Sequence, residues 1–547
     1  MDDYPLTLGH IFDRADRFFP TREIVSHMPD KSLHRYTYRD FSKRSLQLAA
    51  ALNAMGLKKG ETVGTLMWNH YAHLEAYYGI PLAGGVVHTL NLRLHPDEIA
   101  YLSNHAQNRF LIVDDTLLPL LAKFVSQLKV EKIICVRLTQ HPLQPTMLDY
   151  EHVLSTAPAD WQRPQLEERD ACGMCYTSGT TGKPKGVVYS HRAICLHAMM
   201  LGIGTLDSRV VIKHADTVLP VVPMFHANAW GIPHVGIMAG AKLVMPGPYM
   251  DPANLLMLFE KENVSVSVGV PTIWLGMLKE LKEKPDHYKI PQNMRTLVGG
   301  SAVPEALIRG FEAYGVFVVQ GWGMTETTPL GTTSLLTRDM QEWDEDRQFE
   351  ARAMQGMPVP FVEARILNGQ GQEVVWDGKS IGELQVRGPW VAASYYDPEE
   401  DSSDKWTESG WFRTGDVACM TPEGFVRITD RTKDLIKSGG EWISSIDLEN
   451  AMMAHPDVQE ACVIAVPHPK WAERPLAVVV PKPGRSVDLT AMRSFLAPKF
   501  AKFWLPDGLV EIDQIPRSSA GKFMKSVLRD RYQDWEWTHP AEDENES

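Results

Sequence analysis

The chain reads as an α/β protein: a large N-terminal domain of mixed and parallel sheets flanked by helices, with a small α+β C-terminal domain. Three observations carry that expectation. At 547 residues the chain is too long for one ordinary domain. Short Val/Ile/Leu-rich runs alternate with helical patterns from Tyr36 onward, a βαβ rhythm. Beyond the charged segment Asp430 to Asp434 the pattern changes to a shorter set of helix and strand pairs.

In order, the periodicity predicts a helix over 38–55, a strand over 62–68, a helix over 96–105, a strand over 110–113, a helix from Leu117 and the strand KIICV at 132–136. Strands this apolar need cover on both faces, which parallel sheets with crossover helices provide. ACGMCYT (171–177) predicts another strand, and Ser190 an N-cap for the helix HRAICLHAMM. GWFRTGDVACMTPEGFVRITDRTKD (410–434) predicts short strands joined by glycine turns. The large domain is therefore placed at 1–430 and the small domain at 435–547, with 431–434 between them. IDLENAMMAHPDVQEACVIAVPHP and LTAMRSFLAPKFAKFWLPDGLVEID supply the helix and strand pairs of that small domain, and the tail HPAEDENES is expected to be disordered.

Composition narrows the function classes. With 44% hydrophobic and 22% charged residues and no apolar run of membrane-spanning length, a soluble protein without an integral membrane segment is expected. The acidic start MDDYPLTLGH does not read as a secretory signal, so a cytoplasmic location is expected. A balance of 55 basic against 68 acidic residues argues against nucleic acid as a partner. Six cysteines suit reduced thiols, and the lone CxxC of Cys172 and Cys175 lacks the second ligand pair that a zinc site needs.

YTSGTTGKPKG (176–186) asks for a chemical reading, with glycines that let backbone approach a ligand, hydroxyls that donate to phosphate oxygens, and the cations Lys183 and Lys185. It is not a Walker A loop, because only two residues separate Gly179 from Gly182 and Pro184 follows Lys183. It resembles instead the phosphate loop of the acyl-adenylate-forming enzymes, the AMP-dependent synthetases and ligases. VPMFHANAW (222–230), VGGSAVP (298–304), QGWGMTETTP (320–329), GWFRTGD (410–416), DRTKDLIKSGGEWIS (430–444) and PRSSAGKFMK (516–525) resemble the family's further segments, in its order. FHANAWG with KSGGEWIS looks closest to bacterial medium- and long-chain fatty acyl-CoA synthetases.

The resemblance implies ATP, Mg²⁺ and coenzyme A, and a role for each matching residue. Forcing a carboxylate against the α-phosphate of ATP brings two anions together, which cations must neutralise. Glu326 and Thr177 are implied as magnesium ligands, and Thr325 as a partner of the AMP phosphate. Ser178, Gly179, Thr180, Thr181, Gly182, Lys183 and Lys185 are implied around the phosphates, Gly300, Ser301, Ala302, Gln320, Gly321 and Trp322 would form the adenine wall, and Gly323 and Met324 are implied as further cofactor contacts. Asp416 is implied on the ribose hydroxyls, with Arg431 and Lys433 as ribose or phosphate contacts and Lys433 at the hinge. Lys522 looks like the lysine that bridges carboxylate and α-phosphate during adenylation. A swing of the small domain would then bring Lys437 near the intermediate, let the pantetheine arm pass Gly439 and Gly440, and set Trp442 against the CoA. A homodimer is the assembly many relatives form.

The acid is read from Thr217 to Met250, a stretch without Asp or Glu. An amino-acid substrate would leave its ammonium unpaired there. His226, Ala227, Trp230, Gly231 and Gly236 are expected to line an apolar pocket, His226 contacting the adenylate and Trp230 gating the tunnel by resemblance. The expected reaction is activation of a medium- or long-chain fatty acid to acyl-AMP and its transfer to CoA. The alternatives are a ligase for a short or functionalised acid such as 3-(methylthio)propionate, transfer of acyl-AMP to an acceptor other than CoA, and a non-catalytic adenylate-binding protein.

Overall fold

Alternation of buried side chains within the strands sets the layers. In the strand Phe110–Asp114, Phe110 and Ile112 join one buried cluster and Leu111 and Val113 another, so both faces of the sheet are covered. The computed structural model describes residues 4–139, 141–177, 184–203, 209–396, 403–431, 434–438, 441–517 and 523–537, without the side chains of 403, 441 and 442. The chain divides into two compact units, Met1–Glu363 with Val386–Phe412, and Ala364–Gln385 with Arg413–Ser547.

Among the described residues, the first unit holds two large sheets. The seven-stranded sheet runs, in spatial order, Leu148–Asp149, Lys132–Val136, Phe110–Asp114, Thr62–Leu66, Val86–Thr89, Ala171–Tyr176, Gly186–Ser190. It is parallel up to the closing antiparallel pair formed by the last two strands. The nine-stranded sheet has a parallel centre of Phe317–Gly323, Arg295–Gly299, Val266–Gly269, Thr217–Pro220, Lys242–Met245 and Glu23–His27, with antiparallel strands at both edges. Helices Leu8–Phe18, Tyr38–Ala54, Tyr71–Leu82, His191–Ile203 and Ile232–Ala239 contribute to a buried cluster that takes side chains from both sheets. The far face of the nine-stranded sheet is covered by Pro252–Glu262, Pro271–Glu283 and Glu305–Glu312.

The predicted elements are present with small shifts of boundary, and Ser190 caps its helix by accepting from the Ala193 N–H at 3.1 Å. The helix expected from Leu117 is a single turn, Leu118–Leu121, with Pro119 at its start, where proline is tolerated.

In the second unit the strands Glu363–Leu367, Gly382–Arg387, Phe412–Met420 and Val426–Arg431 form a four-stranded sheet. Ile436–Ser438, Glu441–Ile443, Val458–His468, Ala472–Pro481 and Gly508–Glu511 form another, packed by helices Ser445–Met453 and Leu489–Leu496. The long strand Ala472–Pro481 was not among those expected; it lies centrally, paired on both sides. All six cysteines are buried free thiols, and burial pushes Cys135 and Cys195 up to about 12. Among the described residues, no helix is long and apolar enough to cross a membrane.

Candidate active site

The strand Ala171–Tyr176 delivers Thr177 at its end, as the apolar run predicts. Thr177 and Lys185 hold each other across the phosphate-loop segment, the Thr177 N–H donating to the Lys185 carbonyl at 2.9 Å and the Lys185 N–H to Thr177 Oγ1 at 3.1 Å. Lys185 Nζ stands 5.2 Å from the centre of the Tyr395 ring. The Tyr395 hydroxyl donates to Glu326 Oε1 at 2.6 Å, the Ala392 N–H donates to the Glu326 carbonyl at 2.7 Å, and the Tyr189 hydroxyl donates to the Thr325 carbonyl at 2.9 Å. Three segments distant in sequence, around 177–189, 325–326 and 392–395, thus meet about one carboxylate that is only 5% exposed.

Among the described residues, no group of three or more His, Cys, Asp or Glu side chains gathers that could hold a metal ion. Glu326 offers a single hard oxygen ligand beside hydroxyls. That donor set suits Mg²⁺, which keeps several waters and is commonly bound through one or two carboxylates plus substrate phosphates.

Gly299 pairs with Gly321 and Val298 with Gln320 in adjacent parallel strands, which places GGSA and QGWG side by side. A Cβ at Gly299 would stand 2.4 Å from the Gly321 carbonyl oxygen, so this close approach requires glycine. Gln320 is buried and its Oε1 has no hydrogen-bond partner among the described atoms. Trp322 is also buried and lies against Gly331, where a Cβ would meet its ring at 2.5 Å. Ser301 is exposed and Ala302 half-buried, while Gly323 and Met324 lead into the turn that carries Glu326.

The segment HANAW takes a form that no sequence pattern announces. Ala227, Asn228, Ala229, Trp230 and Gly231 all have positive φ, between 42° and 76°, a left-handed turn built mostly from residues other than glycine. Each such residue costs of order 1–2 kcal/mol, so the surroundings must impose the shape. Asn69 holds the chain that leads into the turn, donating to the Val222 carbonyl at 2.9 Å and accepting the Met224 N–H at 2.7 Å, while Tyr77 bonds the Met224 carbonyl. The Ala229 N–H bonds the His226 carbonyl at 3.0 Å. The turn sets the Trp230 ring beside Gly300 and Gly299, 3.6 Å from where either Cβ would be. His226 is half-buried at its start. Gly231 faces His197, and Gly236 packs against Leu243, where a Cβ would come within 2.5 Å.

Next to this turn, an apolar cavity of about 60 Å³ is bounded by Leu201, Ile232, Val268, Val319, Leu330 and Leu335, among others. Among its described lining residues the only ionisable one is Arg295, whose guanidinium donates to Asp216 at 2.6 Å and to the Val211 carbonyl at 2.8 Å. His197 touches the same region, accepting the Leu330 N–H at 3.4 Å, and burial depresses it to about 3, which keeps it neutral.

In the second unit Asp416 and Arg431 are cross-strand partners, with Arg431 Nε 3.1 Å from Asp416 Oδ1 and Asp416 3% exposed. Lys437 lies on the strand Ile436–Ser438 with its N–H bonded to Glu473 at 2.7 Å. Lys522, Lys433, Ser178, Gly179, Thr180, Thr181, Gly182, Lys183, Gly439 and Gly440 lie outside the described residues, as does the side chain of Trp442.

Two family models match the chain. The model of the AMP-binding enzyme family matches residues 12–396, and that of the AMP-binding enzyme C-terminal domain matches 447–522. The chain belongs to the AMP-binding enzyme family. This AMP-binding enzyme is 45% identical to a long-chain-fatty-acid–CoA ligase of Thermus thermophilus, covering 98% of this chain and 97% of that protein. It is 40% identical to a medium-chain-fatty-acid–CoA ligase of Ectopseudomonas oleovorans (97% and 96% covered) and 40% identical to a 3-methylmercaptopropionyl-CoA ligase of Ruegeria lacuscaerulensis (97% and 98%). Its fold matches that of ATP-bound MatB from Rhodopseudomonas palustris, with a TM-score of 0.81 over 97% of this chain and 99% of that one at 24% identity.

The sequence did not point to Tyr395, Asn69, Tyr77 or His197. Tyr395 sits in SYYDPEE, and an aromatic pair before an acidic run is the one signal that could have drawn attention to it.

Proposed function

We propose that this AMP-binding enzyme is an ATP-dependent acid–CoA ligase, converting a medium- or long-chain fatty acid to acyl-AMP with release of pyrophosphate and then passing the acyl group to CoA. One observation carries the choice of acid: the cavity beside the Trp230 turn is apolar, and the one ionisable group among its described lining residues, Arg295, is paired with Asp216. An amino acid or dicarboxylate would bury an unanswered charge there. Each methylene of an alkyl chain instead contributes about 0.8 kcal/mol on burial. The fatty-acid ligases among the relatives support the same reading.

In this reading Glu326 and Thr177 hold Mg²⁺, which would offset phosphate charge, and Thr325 bonds the AMP phosphate. Asp416 accepts from the ribose hydroxyls, as an ionised carboxylate can do with two strong hydrogen bonds. Arg431 orients Asp416. Lys522 offsets the repulsion between carboxylate and α-phosphate, an effect of about 3–4 kcal/mol when one such donor is lost. Residues 431–434 act as a hinge, with Lys433 within it, which lets the segment from Lys437 to Trp442 serve the second half-reaction. A cytoplasmic location and, on the resemblance, a homodimer complete the proposal, and the mass in solution checks the assembly.

A second reading is favoured by the 3-methylmercaptopropionyl-CoA ligase among the relatives: a short acid with an apolar thioether. Acid-dependent pyrophosphate exchange and CoA consumption across saturated acids of about three to eighteen carbons, with 3-(methylthio)propionate beside them, separate the two. A maximum at eight carbons or more is expected. A maximum with 3-(methylthio)propionate would install the second reading, and AMP binding without exchange for any acid would refute both.

A further inference from the structure

The helix Lys525–Arg531 carries Lys525 and Arg529 one turn apart on one face. Arg529 reaches one acid that flanks residues 432 and 433 directly, and Lys525 reaches the other through Ser445. Arg529 pairs with Asp434. Lys525 Nζ lies 2.7 Å from Glu449 Oε1 and donates to Ser445 Oγ at 2.5 Å. Ser445 in turn donates to Asp430 Oδ2 through its N–H at 2.7 Å and its hydroxyl at 2.5 Å. Asp430 Oδ1 accepts the Arg431 N–H at 2.7 Å, and Glu449 accepts the Val463 N–H at 2.7 Å.

This relay is shut off from water: Asp430, Ser445, Glu449 and the Lys525 side chain are all buried or nearly so. Burial raises the carboxyls of Asp430 and Glu449, while Lys525, which burial alone would lower, is raised by those two acids. A buried ion pair is a poor source of net stability, because desolvation offsets its attraction. What it supplies is a fixed geometry. Through Ser445, Lys525 is tied to the strand Val426–Arg431, whose Arg431 holds Asp416. In sequence Lys525 follows Lys522 by three residues, a length of chain that spans at most about 11 Å.

We propose that Lys525 is a positioning residue for the adenylate-forming half-reaction, fastening the helix that follows Lys522 to the strand that carries Arg431. Arg529 makes the matching tie to Asp434. The inference rests on the ligase reading and on Lys522 as the adenylating lysine. It predicts that loss of the tie harms the step that needs Lys522 and spares the step that does not.

The test uses the full chain, with decanoate-dependent pyrophosphate exchange for the first half-reaction and CoA thioester formation from synthetic decanoyl-AMP for the second. Lys525→Met should lower the exchange kcat by about tenfold or more, with thioester formation kept within about threefold. Lys525→Arg should restore exchange. Lys525→Met combined with Glu449→Gln should regain the melting temperature lost by leaving Glu449 unpaired, without regaining exchange. Asp430→Asn, which leaves the Lys525–Glu449 pair in place, should show the same selective loss and decides the matter if Lys525→Met does not fold. Undiminished exchange, equal loss of both steps, or exchange recovered in the double variant would overturn the proposal. Absence of exchange in the unaltered protein with every acid of the panel would remove the ligase reading beneath it, an outcome distinct from the others.

Discussion

The Tyr395 hydroxyl donates a 2.6 Å hydrogen bond to Oε1 of Glu326. Burial, and then the charge of Glu326, raise the phenol far above its usual range, so it stays a proton donor at any working pH. The bond fixes which Glu326 oxygen is left for other partners. Tyr395→Phe should therefore weaken the response to MgATP, lowering kcat/KM for MgATP by about tenfold, with thioester formation from supplied acyl-AMP little changed. Titrating exchange against Mg²⁺ at fixed ATP reads this, and an unaltered Mg²⁺ dependence would count against a metal role for Glu326.

Val319 stands on the strand Phe317–Gly323 and lines the apolar cavity. Val319→Phe should fill it. The optimum acid should shift to shorter chains, with kcat/KM falling about tenfold or more for the longest acids and holding for the shortest. Overpacking costs about 1–3 kcal/mol, so the melting temperature is to be followed in parallel. An unchanged chain-length profile in a folded variant would detach this cavity from the acyl chain.

The left-handed turn sets opposite expectations for two small changes at Ala229, where φ is 47°. Ala229→Gly suits that backbone, and the relief there roughly balances the methyl lost from the core. Ala229→Val puts a branched side chain into a conformation it rarely takes, at a fully buried position, and should cost more than about 2 kcal/mol. Thermal unfolding of both variants checks the contrast, and equal melting temperatures would show that the turn is not strained.

Five buried histidines set a pH dependence of stability. Burial lowers His73, His197 and His234 from 6.5 to about 3, and His88 and His191 to about 4. Their folded values lie below the unfolded one, so as pH falls the unfolded chain takes up protons first. Their contribution to stability is intact above pH 6.5 and is lost progressively towards pH 3–4. Each adds up to about 1.4 kcal/mol per pH unit in that window. His197→Gln, which keeps an acceptor for the Leu330 N–H, should make the fall between pH 7 and pH 5 shallower; an unchanged slope would exclude His197 from the effect.

The sheets were legible because parallel strands covered on both faces must be apolar throughout, and runs such as KIICV have few other uses. Residues 171–191 could be assigned for a related reason, since a strand, a glycine loop and a Ser-capped helix each leave a local mark. The conformation of Trp230 could not be read so. Nothing in ANAWG signals five consecutive positive φ values, and the chain leading into them is held by Asn69 and Tyr77, about 150 positions away. Tyr395 escaped for the same physical reason: its role exists only once the chain returns to Glu326. Lys525 ends the segment PRSSAGKFMK, yet its partners Glu449 and Ser445 lie far upstream and no spacing rule connects them.

The chain leaves its first compact unit at Glu363 and rejoins it for Val386–Phe412, the return that supplies Tyr395 and Ala392 to Glu326. Dissecting the gene with a single stop codon near 363 would therefore yield a fragment stripped of those two contacts to its central carboxylate. An expression clone for that half should run through Phe412 or bridge the excursion with a short linker.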